Sequence, residues 1–258
     1  EGYTNTFDEI FRLVEEKGVL ALKPDEGSHG DGFYKFTYED GKYQLNYQEV
    51  TKQQVLDILE DINNQYLVTE YINMCDELKA VYDGAVNTVR MIVFKKDGKN
   101  PQIGNAYVRF GSKKTGAVDN VGAGGMTATI DVATGHFHDA KIVLNNSIED
   151  CPIHPDTGVP IDGYLPHWVQ VKQQVLDVTK SIKQLEFFGV DLAVTNDGIK
   201  FPEINRFPDY PAVEKYTKPT REYLLYKLAG KKHHYGYDVT PNKTLVHLPK
   251  RDSERGKS

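Results

Sequence analysis

Three oxygen-bearing side chains in the last third of the chain could bind a divalent cation. Asp191, Glu203 and Asn205 lie in a segment where apolar and polar residues alternate on both sides of Asn196-Asp197-Gly198. This pattern predicts two strands joined by a three-residue loop, which would place Asp191 opposite Glu203. Asn205 would share the face of Glu203, because strand side chains alternate. Such oxygens suit Mg²⁺, which usually also binds water and substrate phosphate, so the hairpin indicates a nucleotide site. A solvated hairpin with ordinary surface acids is the alternative interpretation.

A glycine-rich segment near the N-terminus could hold phosphate groups. Gly27, Gly30 and Gly32 follow Lys23-Pro24 in the pattern Gly-x-x-Gly-x-Gly. Glycines let backbone N–H groups approach phosphate oxygens, and Lys23 can add a positive charge. We predict strands on both sides of this segment, which excludes the Rossmann fingerprint and the P-loop, because both place phosphate at a helix N-terminus. A glycine loop between strands is typical of kinase-like nucleotide sites. A flexible turn beside a surface lysine is the structural alternative.

Short strands and helices are predicted to position these residues. Apolar spacing predicts helices over 5–17, over 167–185 and over 219–230. The first of these has Phe7, Ile10, Phe11 and Val14 at helical spacing. Thr51 can cap a further helix, whose buried stripe would be Val55, Ile58, Leu59 and Ile62. In the helix over 167–185, Val171, Val175, Val178, Ile182 and Leu185 have core spacing. Residues 144–163 are rich in Pro, Asn and Asp and are predicted to be irregular. Strands are predicted at 19–22, 33–38, 42–47, 66–72, 86–94, 103–110, 127–132, 138–143 and in the hairpin.

The bulk composition restricts the class of protein. The chain has 258 residues, of which 39% are hydrophobic and 26% charged, so we expect a packed soluble protein. A formal net charge of −6 argues against nucleic acid as the main partner. No apolar run approaches the length of a membrane span, and the N-terminus does not have the pattern of a signal peptide. Cys75 and Cys151 lack metal-ligand spacing and are expected to be reduced thiols of a cytoplasmic protein.

Five motifs follow one another in order along most of the chain. They are Lys23-Pro24 with Gly27-Ser28-x-Gly30-x-Gly32-Phe33, Val68-Thr69-Glu70-Tyr71-Ile72, Val86-Asn87-Thr88-Val89-Arg90, Val118-Asp119-Asn120 through Gly124-Gly125, and Gly189-Val190-Asp191 through Glu203-Ile204-Asn205. Together they resemble the ATP-grasp superfamily, and most closely its sugar-transfer-associated family from bacterial polysaccharide gene sets. Each motif is weak singly, but five in this order are specific.

The resemblance implies an α+β ATP-grasp fold whose two lobes sandwich ATP. We expect an N-terminal lobe over residues 1–73 that carries the glycine loop. A C-terminal lobe over 74–230 would carry the metal hairpin, and a partly disordered basic tail would follow over 231–258. The resemblance also implies ATP and Mg²⁺ as cofactors. The residues implied at the site are Lys23, Gly27, Ser28, Gly30 and Gly32 for phosphates, Glu70, Tyr71 and Ile72 at the adenine hinge, Glu77 for the ribose, and Asp191, Glu203 and Asn205 for the metal.

The sequence departs from the family pattern at one catalytic position. Many ATP-grasp ligases have an arginine two residues before the hairpin aspartate, where this chain has Gly189. Arg90 and Arg109 are therefore the candidates for stabilising charge in the transition state, although a strand arginine paired with a surface acid would look the same. Only 22 residues precede Lys23, so we expect this chain to lack the earlier lysine and the N-terminal domain of the family. The chain would then be a fragment or a minimal version of a family member.

The function implied by the resemblance is that of an ATP-dependent, ADP-forming carboxylate–amine ligase. Its substrates would be a small-molecule carboxylate and an amine or a sugar, in the synthesis of a surface polysaccharide or of a sugar–amino-acid conjugate. We expect no nucleic-acid partner and no membrane span. Two alternatives remain open: an ATP-grasp kinase that stops after phosphoryl transfer, and a non-catalytic nucleotide-binding module.

Overall fold

The computed structural model describes residues 7–25, 32–60, 66–95, 98–144, 147–206 and 208. These residues form two β-sheets accompanied by four α-helices, which confirms the predicted α+β class. Gly27, Ser28 and Gly30 of the predicted phosphate loop lie outside the described residues. The predicted helix at 219–230 and the predicted tail at 231–258 also lie outside them.

The first sheet contains five strands in the order β4-β3-β2-β1-β5. Its bounds and those of its two helices are α1 (Phe7–Lys17), β1 (Val19–Pro24), β2 (Tyr34–Glu39), β3 (Lys42–Leu45), β4 (Gln48–Val50), α2 (Lys52–Leu59) and β5 (Tyr66–Glu70). One face of the sheet packs on the apolar sides of the helices, where Phe11, Leu22, Phe36 and Val55 are buried in a single core. Because strand side chains alternate, Lys23 lies on the other face.

The second sheet contains eight strands. Seven follow the order β10-β9-β8-β7-β6-β12-β13, and β11 pairs with β9. The bounds are β6 (Val89–Lys95), β7 (Pro101–Phe110), β8 (Met126–Ile130), β9 (His136–Leu144), β10 (Ser147–Asp150), β11 (Gly163–Tyr164), β12 (Phe187–Thr195) and β13 (Gly198–Asn205). Side chains along β6 are buried at every position, as expected for a strand in the interior of a sheet.

Two further helices accompany the second sheet. Helix α3 (Asp76–Val81) precedes β6, and α4 (Trp168–Lys180) precedes β12. Helix α4 is shorter than predicted: it ends at Lys180, whereas the prediction extended to residue 185. Within it Val171 and Val175 are buried, whereas Val178 is 42% exposed, so the prediction of Val178 as a core residue was wrong. No helix in the described part of the chain is long and apolar enough to cross a membrane.

The chain divides into two compact units. Unit 1 comprises Glu1–Arg90, Tyr107–Val171 and Asp191–Glu203, and unit 2 comprises Met91–Ala106, Lys172–Val190 and Ile204–Ser258. Unit 1 contains the first sheet and both candidate arginines, Arg90 and Arg109. The lobe boundary that we inferred at residue 73 falls between β5 and α3 in the sequence and stays a prediction.

Candidate active site

Two arginine side chains converge on one buried carboxylate. Asp191 is 3% exposed. Its Oδ1 accepts a hydrogen bond of 2.5 Å from Nε of Arg90, and its Oδ2 accepts one of 2.6 Å from the NH2 group of the same guanidinium. Arg109 donates a further hydrogen bond of 2.9 Å from its own NH2 group to Oδ2. The first pair is bidentate, which is the geometry in which an arginine and a carboxylate interact most strongly.

Neighbouring strands of the second sheet bring these three residues together. Arg109 is near the end of β7, Arg90 is near the start of β6, and Asp191 is in the middle of β12. These strands follow one another in the sheet. The backbone N–H of Arg109 also donates to the carbonyl of Thr88, just before β6, at 2.8 Å. The convergence therefore depends on strand pairing between residues as much as 101 positions apart.

A second carboxylate holds the guanidinium of Arg109 from another side. Oδ2 of Asp119 lies 3.4 Å from Nε of Arg109. The same oxygen accepts hydrogen bonds from the backbone N–H of Thr88 at 2.8 Å and from its hydroxyl at 2.5 Å. The Thr88 hydroxyl oxygen in turn accepts from Arg109, at 2.5 Å from NH2 and 3.1 Å from Nε. We call Arg90, Arg109, Asp191, Asp119 and Thr88 the arginine cluster.

Asn87, the residue before Thr88, anchors this part of the chain in the protein interior. It is fully buried, and its amide nitrogen donates to the carbonyls of Tyr82 at 2.6 Å and Leu78 at 3.3 Å. Its Oδ1 accepts a hydrogen bond of 3.1 Å from the backbone N–H of Gly111, the residue directly after β7. The motif from Asn87 to Arg90 thus combines a structural anchor with two members of the arginine cluster.

Contacts within the cluster shift the pKa values of Asp191 and Arg109 in directions that favour their charged forms. Burial alone would raise the pKa of Asp191, but the hydrogen bonds and charges of Arg90 and Arg109 outweigh burial and hold it below its ordinary value. Burial alone would lower the pKa of Arg109, but the charges of Asp119 and Asp191 outweigh it and raise that pKa. The cluster therefore holds two cations and two anions in a largely dehydrated site, where each charge depends on the others.

The other two predicted metal ligands lie on β13. Glu203 is exposed and Asn205 is half-buried. The bounds of β12 and β13 leave two residues between them, Asn196 and Asp197, where the sequence had predicted three. Among the residues that the structure describes, no three His, Cys, Asp or Glu side chains are grouped as in a metal site. The predicted set has only two carboxylates, so the assignment of Asp191, Glu203 and Asn205 stays a prediction.

The predicted nucleotide residues that the structure describes lie on or near the first sheet. Lys23 is an exposed residue of β1, and Gly32, at φ 76°, precedes β2. Glu70 ends β5 and forms an exposed ion pair with Lys17 at 3.6 Å. Tyr71 and Ile72 follow β5 and are half-buried, whereas Glu77 is exposed in the first turn of α3. Their contacts with a nucleotide stay a prediction.

One feature of the predicted hinge had no signal in the sequence: a lysine side chain lies close to the rings of two tyrosines, one of which is the hinge residue Tyr71. Nζ of Lys35 lies 4.8 Å from the ring centre of Tyr71 and 4.8 Å from that of Tyr47, which is the range of a cation–π interaction. The Tyr47 hydroxyl also donates to the carbonyl of Gly84 at 2.6 Å. Burial and the neighbouring acidic groups raise the pKa of Tyr71, so its hydroxyl stays protonated at neutral pH.

Three solved structures align with most of this chain at low sequence identity. An N5-carboxyaminoimidazole synthetase from Staphylococcus aureus, complexed with ADP, matches 80% of this chain at 11% identity with a TM-score of 0.44. A D-alanine–D-alanine ligase from Bacillus anthracis matches 85% at 12% identity, and its complex with ATP matches 89% at 12% identity, both with a TM-score of 0.40. The alignments cover 39%, 52% and 53% of those three chains.

The sequence comparison identifies the family. A search of curated proteins found no significant match. The model of the sugar-transfer associated ATP-grasp family, in contrast, matches residues 2–212, which is most of the 258-residue chain and includes all five motifs. The resemblance inferred from those motifs is thereby confirmed, and the chain belongs to the sugar-transfer associated ATP-grasp family.

Proposed function

We propose that this protein is an ATP-dependent, ADP-forming ligase that joins a small-molecule carboxylate to an amine through an acyl-phosphate. The observation that supports this proposal most directly is the convergence of Arg90 and Arg109 at Asp191. A phosphoryl-transfer site needs positive charge where negative charge develops, and this chain has no arginine at position 189 to supply it. The arginine cluster has two guanidinium groups on neighbouring strands.

The proposed reaction has two steps. A carboxylate oxygen of the first substrate attacks the γ-phosphorus of ATP, the bond to the β,γ-bridging oxygen breaks, and ADP leaves. The amine nitrogen of the second substrate then attacks the acyl carbon, the bond to the phosphate oxygen breaks, and the amine loses a proton. In both steps negative charge accumulates on phosphate or carbonyl oxygens. Planar guanidinium groups suit these oxygens, because they donate two parallel hydrogen bonds.

The roles proposed for the nucleotide residues come from the family motifs, and the residues among them that the structure describes lie in unit 1. Lys23, exposed on the face of the first sheet that helices α1 and α2 do not cover, would bind phosphate oxygens of ATP. The glycine segment that ends at Gly32 would cover those phosphates. Backbone groups of Tyr71 and Ile72 would bind adenine, with Glu70 beside them, and Glu77 would accept the ribose hydroxyls.

The donor atoms at the predicted metal site fit Mg²⁺ by their chemistry. Two carboxylates and one amide oxygen are the hard oxygen ligands that this ion prefers, and Asp191, Glu203 and Asn205 would supply them. Bound Mg²⁺ would neutralise charge on the phosphates. Both oxygens of Asp191 already accept hydrogen bonds from arginines, so the ion and the guanidinium groups compete for the same carboxylate.

An ADP-release assay with Mg²⁺ over a panel of carboxylates and amines tests the proposed reaction. We expect release to require a carboxylate, and hydroxylamine to trap the acyl-phosphate as a hydroxamate. The amine should then be needed for stable product. ADP release without an amine and without hydroxamate would instead indicate a small-molecule kinase. Failure of Mg·ATP to bind in equilibrium dialysis would reject both enzymes.

Matched variants test the residues. Arg90→Met and Arg109→Met should each lower kcat by about 10²–10³-fold, and should raise the KM for ATP much less, because the proposed contact strengthens in the transition state. Arg12→Met is the control, because Arg12 makes only exposed ion pairs on α1. Near-native kcat in both cluster variants, with folding verified by circular dichroism, would contradict the catalytic assignment.

The binding of ATP needs its own pair of variants. Lys23→Ala should weaken binding of Mg·ATP, because it removes a charge placed for phosphate in the ground state. Lys42→Ala is the matched control, since Lys42 lies on another strand of the same sheet and pairs with Glu49 at 2.8 Å. Equal affinities of the two variants would reject Lys23 as a phosphate ligand.

A further inference from the structure

A cavity of about 340 Å³ lies within unit 1 beside the loop that connects β7 to β8. Its lining residues include Gly32 just before β2, Tyr34 on β2 and Asn46 after β3, together with Lys114, Gly116 and Asn120 of the loop. Pockets for small molecules are typically about 300–1,000 Å³, so this cavity suits a compact ligand of the size of a monosaccharide or an amino acid. The arginine cluster does not include any of its lining residues.

Among the described residues that line the cavity, Lys114 is the only charged one. Its side chain makes no hydrogen bond or ion pair with any residue that the structure describes. Its side chain is exposed. A Cβ atom at position 124 would lie only 2.9 Å from Cδ of Lys114, so a side chain there would shift the lysine. The ammonium group of Lys114 is therefore accessible to a ligand.

Hydrogen bonds within the loop make its backbone well defined. Ser112 Oγ donates to the carbonyl of Gly124 at 3.1 Å, and the backbone N–H of Gly125 donates to the carbonyl of Asn120 at 3.0 Å. Gly125 also has no space for a side chain, because a Cβ atom there would lie 2.8 Å from the carbonyl oxygen of Phe110. The two adjacent glycines thus permit the close approach that shapes this wall of the cavity.

The wall of the cavity is continuous with the arginine cluster. Val118 and Asn120 line the cavity, whereas Asp119 between them holds Arg109 and Thr88. The cavity wall and the cluster therefore share one stretch of backbone, from Val118 to Asn120. This placement suits a substrate of the reaction proposed at the guanidinium groups.

We propose that the cavity binds the acceptor substrate and that Lys114 recognises an anionic group on it, either a carboxylate or a phosphate. The assignment of the ligand as an acceptor rests on the ligase function proposed above. The ligand class is then a small, polar, anionic molecule, because polar and backbone groups are prominent among the described lining residues and the one charged side chain among them is positive.

Nuclear magnetic resonance titration of ¹⁵N-labelled protein tests this proposal with defined probes. D-Glucose, D-glucuronate and D-glucose 6-phosphate share one ring and differ in the charged group. We expect saturable shifts at the amides of Thr115 and Gly116, with about tenfold tighter binding of an anionic probe than of glucose, as for one charge-assisted hydrogen bond. The stronger of the two anions identifies whether the group is a carboxylate or a phosphate.

Two lysine variants separate a built site from general surface charge. Lys114→Met should lose the tenfold preference, and Lys114→Arg should keep most of it. Lys113→Met is the matched control, because Lys113 is the neighbouring exposed lysine and does not line the cavity. The proposal is overturned if the wild type binds neither anion more tightly than glucose, or if Lys114→Met and Lys113→Met behave alike.

Binding of Mg·ATP, measured on the same samples, distinguishes this proposal from the ligase function. Binding of ATP with no anion preference in the cavity would reject the cavity assignment alone. An anion preference that saturating Mg·ATP abolishes would mean that nucleotide phosphate occupies the cavity, and would reject the acceptor assignment. An anion preference that depends on Lys114, in a protein that does not bind ATP, would reject the ligase and keep the anion site.

Discussion

Replacing Asp191 with asparagine should destabilise the protein strongly, even though the two side chains have nearly the same shape. Asp191 is 3% exposed and accepts three hydrogen bonds from two guanidinium groups. The variant keeps one oxygen acceptor but loses the negative charge. Arg90 and Arg109 then remain in the interior with Asp119 as their only carboxylate in the cluster. Buried cations without enough compensating charge are costly.

The expected loss in the free energy of unfolding is about 3 kcal/mol. Removing one partner of a buried ion pair typically costs about 3–5 kcal/mol, and the retained amide oxygen places this variant at the lower end. For a chain of this size, each kcal/mol lowers the melting temperature by about 2–4 °C, so the shift should be roughly 6–12 °C. A domain with a stability of about 5–15 kcal/mol tolerates this loss and remains folded.

Urea unfolding followed by circular dichroism measures the effect, with Asp197→Asn as the control. Asp197 lies in the exposed loop of the same hairpin, so the same chemical change should alter its stability by no more than about 0.5 kcal/mol. Equal unfolding midpoints for the two variants would refute the reasoning, because the buried ion pairs would then contribute nothing to stability.

The dependence of this difference on pH gives a second measure of the same interaction. The pKa of Asp191 is lower in the folded protein than in the unfolded chain, where an aspartate has a pKa of about 3.9. The unfolded chain therefore binds the proton first as the pH falls, and stability rises with pH in that range. The advantage of the wild type over Asp191→Asn should be constant above about pH 5 and shrink below about pH 4.

Three further substitutions test individual contacts. Asn87→Leu should cost about 3 kcal/mol in urea unfolding, because the carbonyl of Tyr82 and the N–H of Gly111 lose their hydrogen bonds to this side chain, and an unchanged midpoint would contradict the anchor role. Gly135→Ala should destabilise the protein more than Gly158→Ala, although both glycines have positive φ. A Cβ atom at position 135 would lie 2.5 Å from Cγ of Trp168, whereas one at position 158 would meet no atom within 4 Å. Similar melting temperatures of the two variants would refute the clash. Asp119→Asn should lower kcat about tenfold with little change in the KM for ATP, since it loosens a guanidinium of the arginine cluster, and a native kcat would exclude this positioning role.

Elements with strong local patterns could be predicted from the sequence. Thr51 was identified as a helix cap, and in the structure its side chain accepts from the backbone of Gln54 in a complete capping box. Helix α1 buries Ile10, Phe11 and Val14, three of the four apolar positions with helical spacing from which it was predicted. In these cases residues within one or two turns of each other determine the structure, so the information is local.

Helix α3 was not predicted, because distant residues hold its start. It has six residues, too few for a clear periodic pattern. The backbone N–H of Cys75 donates to the carbonyl of Val194 at 2.8 Å, and that of Asp76 donates to Oδ1 of Asn196 at 3.1 Å. The helix N-terminus is thus capped by a loop 120 positions away in the sequence. No local signal could have revealed this arrangement.

The candidate site also combines features that local sequence reveals with features that depend on distant residues. The motifs identified Arg90, Arg109 and Asp191 by residue type and order. Their mutual hydrogen bonds, and the role of Asp119 in holding Arg109, depend on the pairing of strands that are distant in sequence. The sequence could therefore supply the chemical groups of the site but not the partner of each group.

Asp191 has two proposed partners, the guanidinium groups of the cluster and Mg²⁺, and their competition leads to one more expectation. Without ligand, the carboxylate compensates the charges of Arg90 and Arg109 in a buried site, and Mg²⁺ would have to displace at least part of those contacts. A nucleotide brings several negative charges, which can take over the guanidinium groups and free the carboxylate. Mg²⁺ should therefore bind weakly to the protein alone and at least about tenfold more tightly together with a non-hydrolysable ATP analogue, as for a coupling of about 1–3 kcal/mol.

Calorimetric titration of Mg²⁺ with and without the analogue measures this coupling, after subtraction of Mg²⁺ binding to the free analogue. Equally tight binding in both cases would mean that the arginines and the metal do not compete for Asp191.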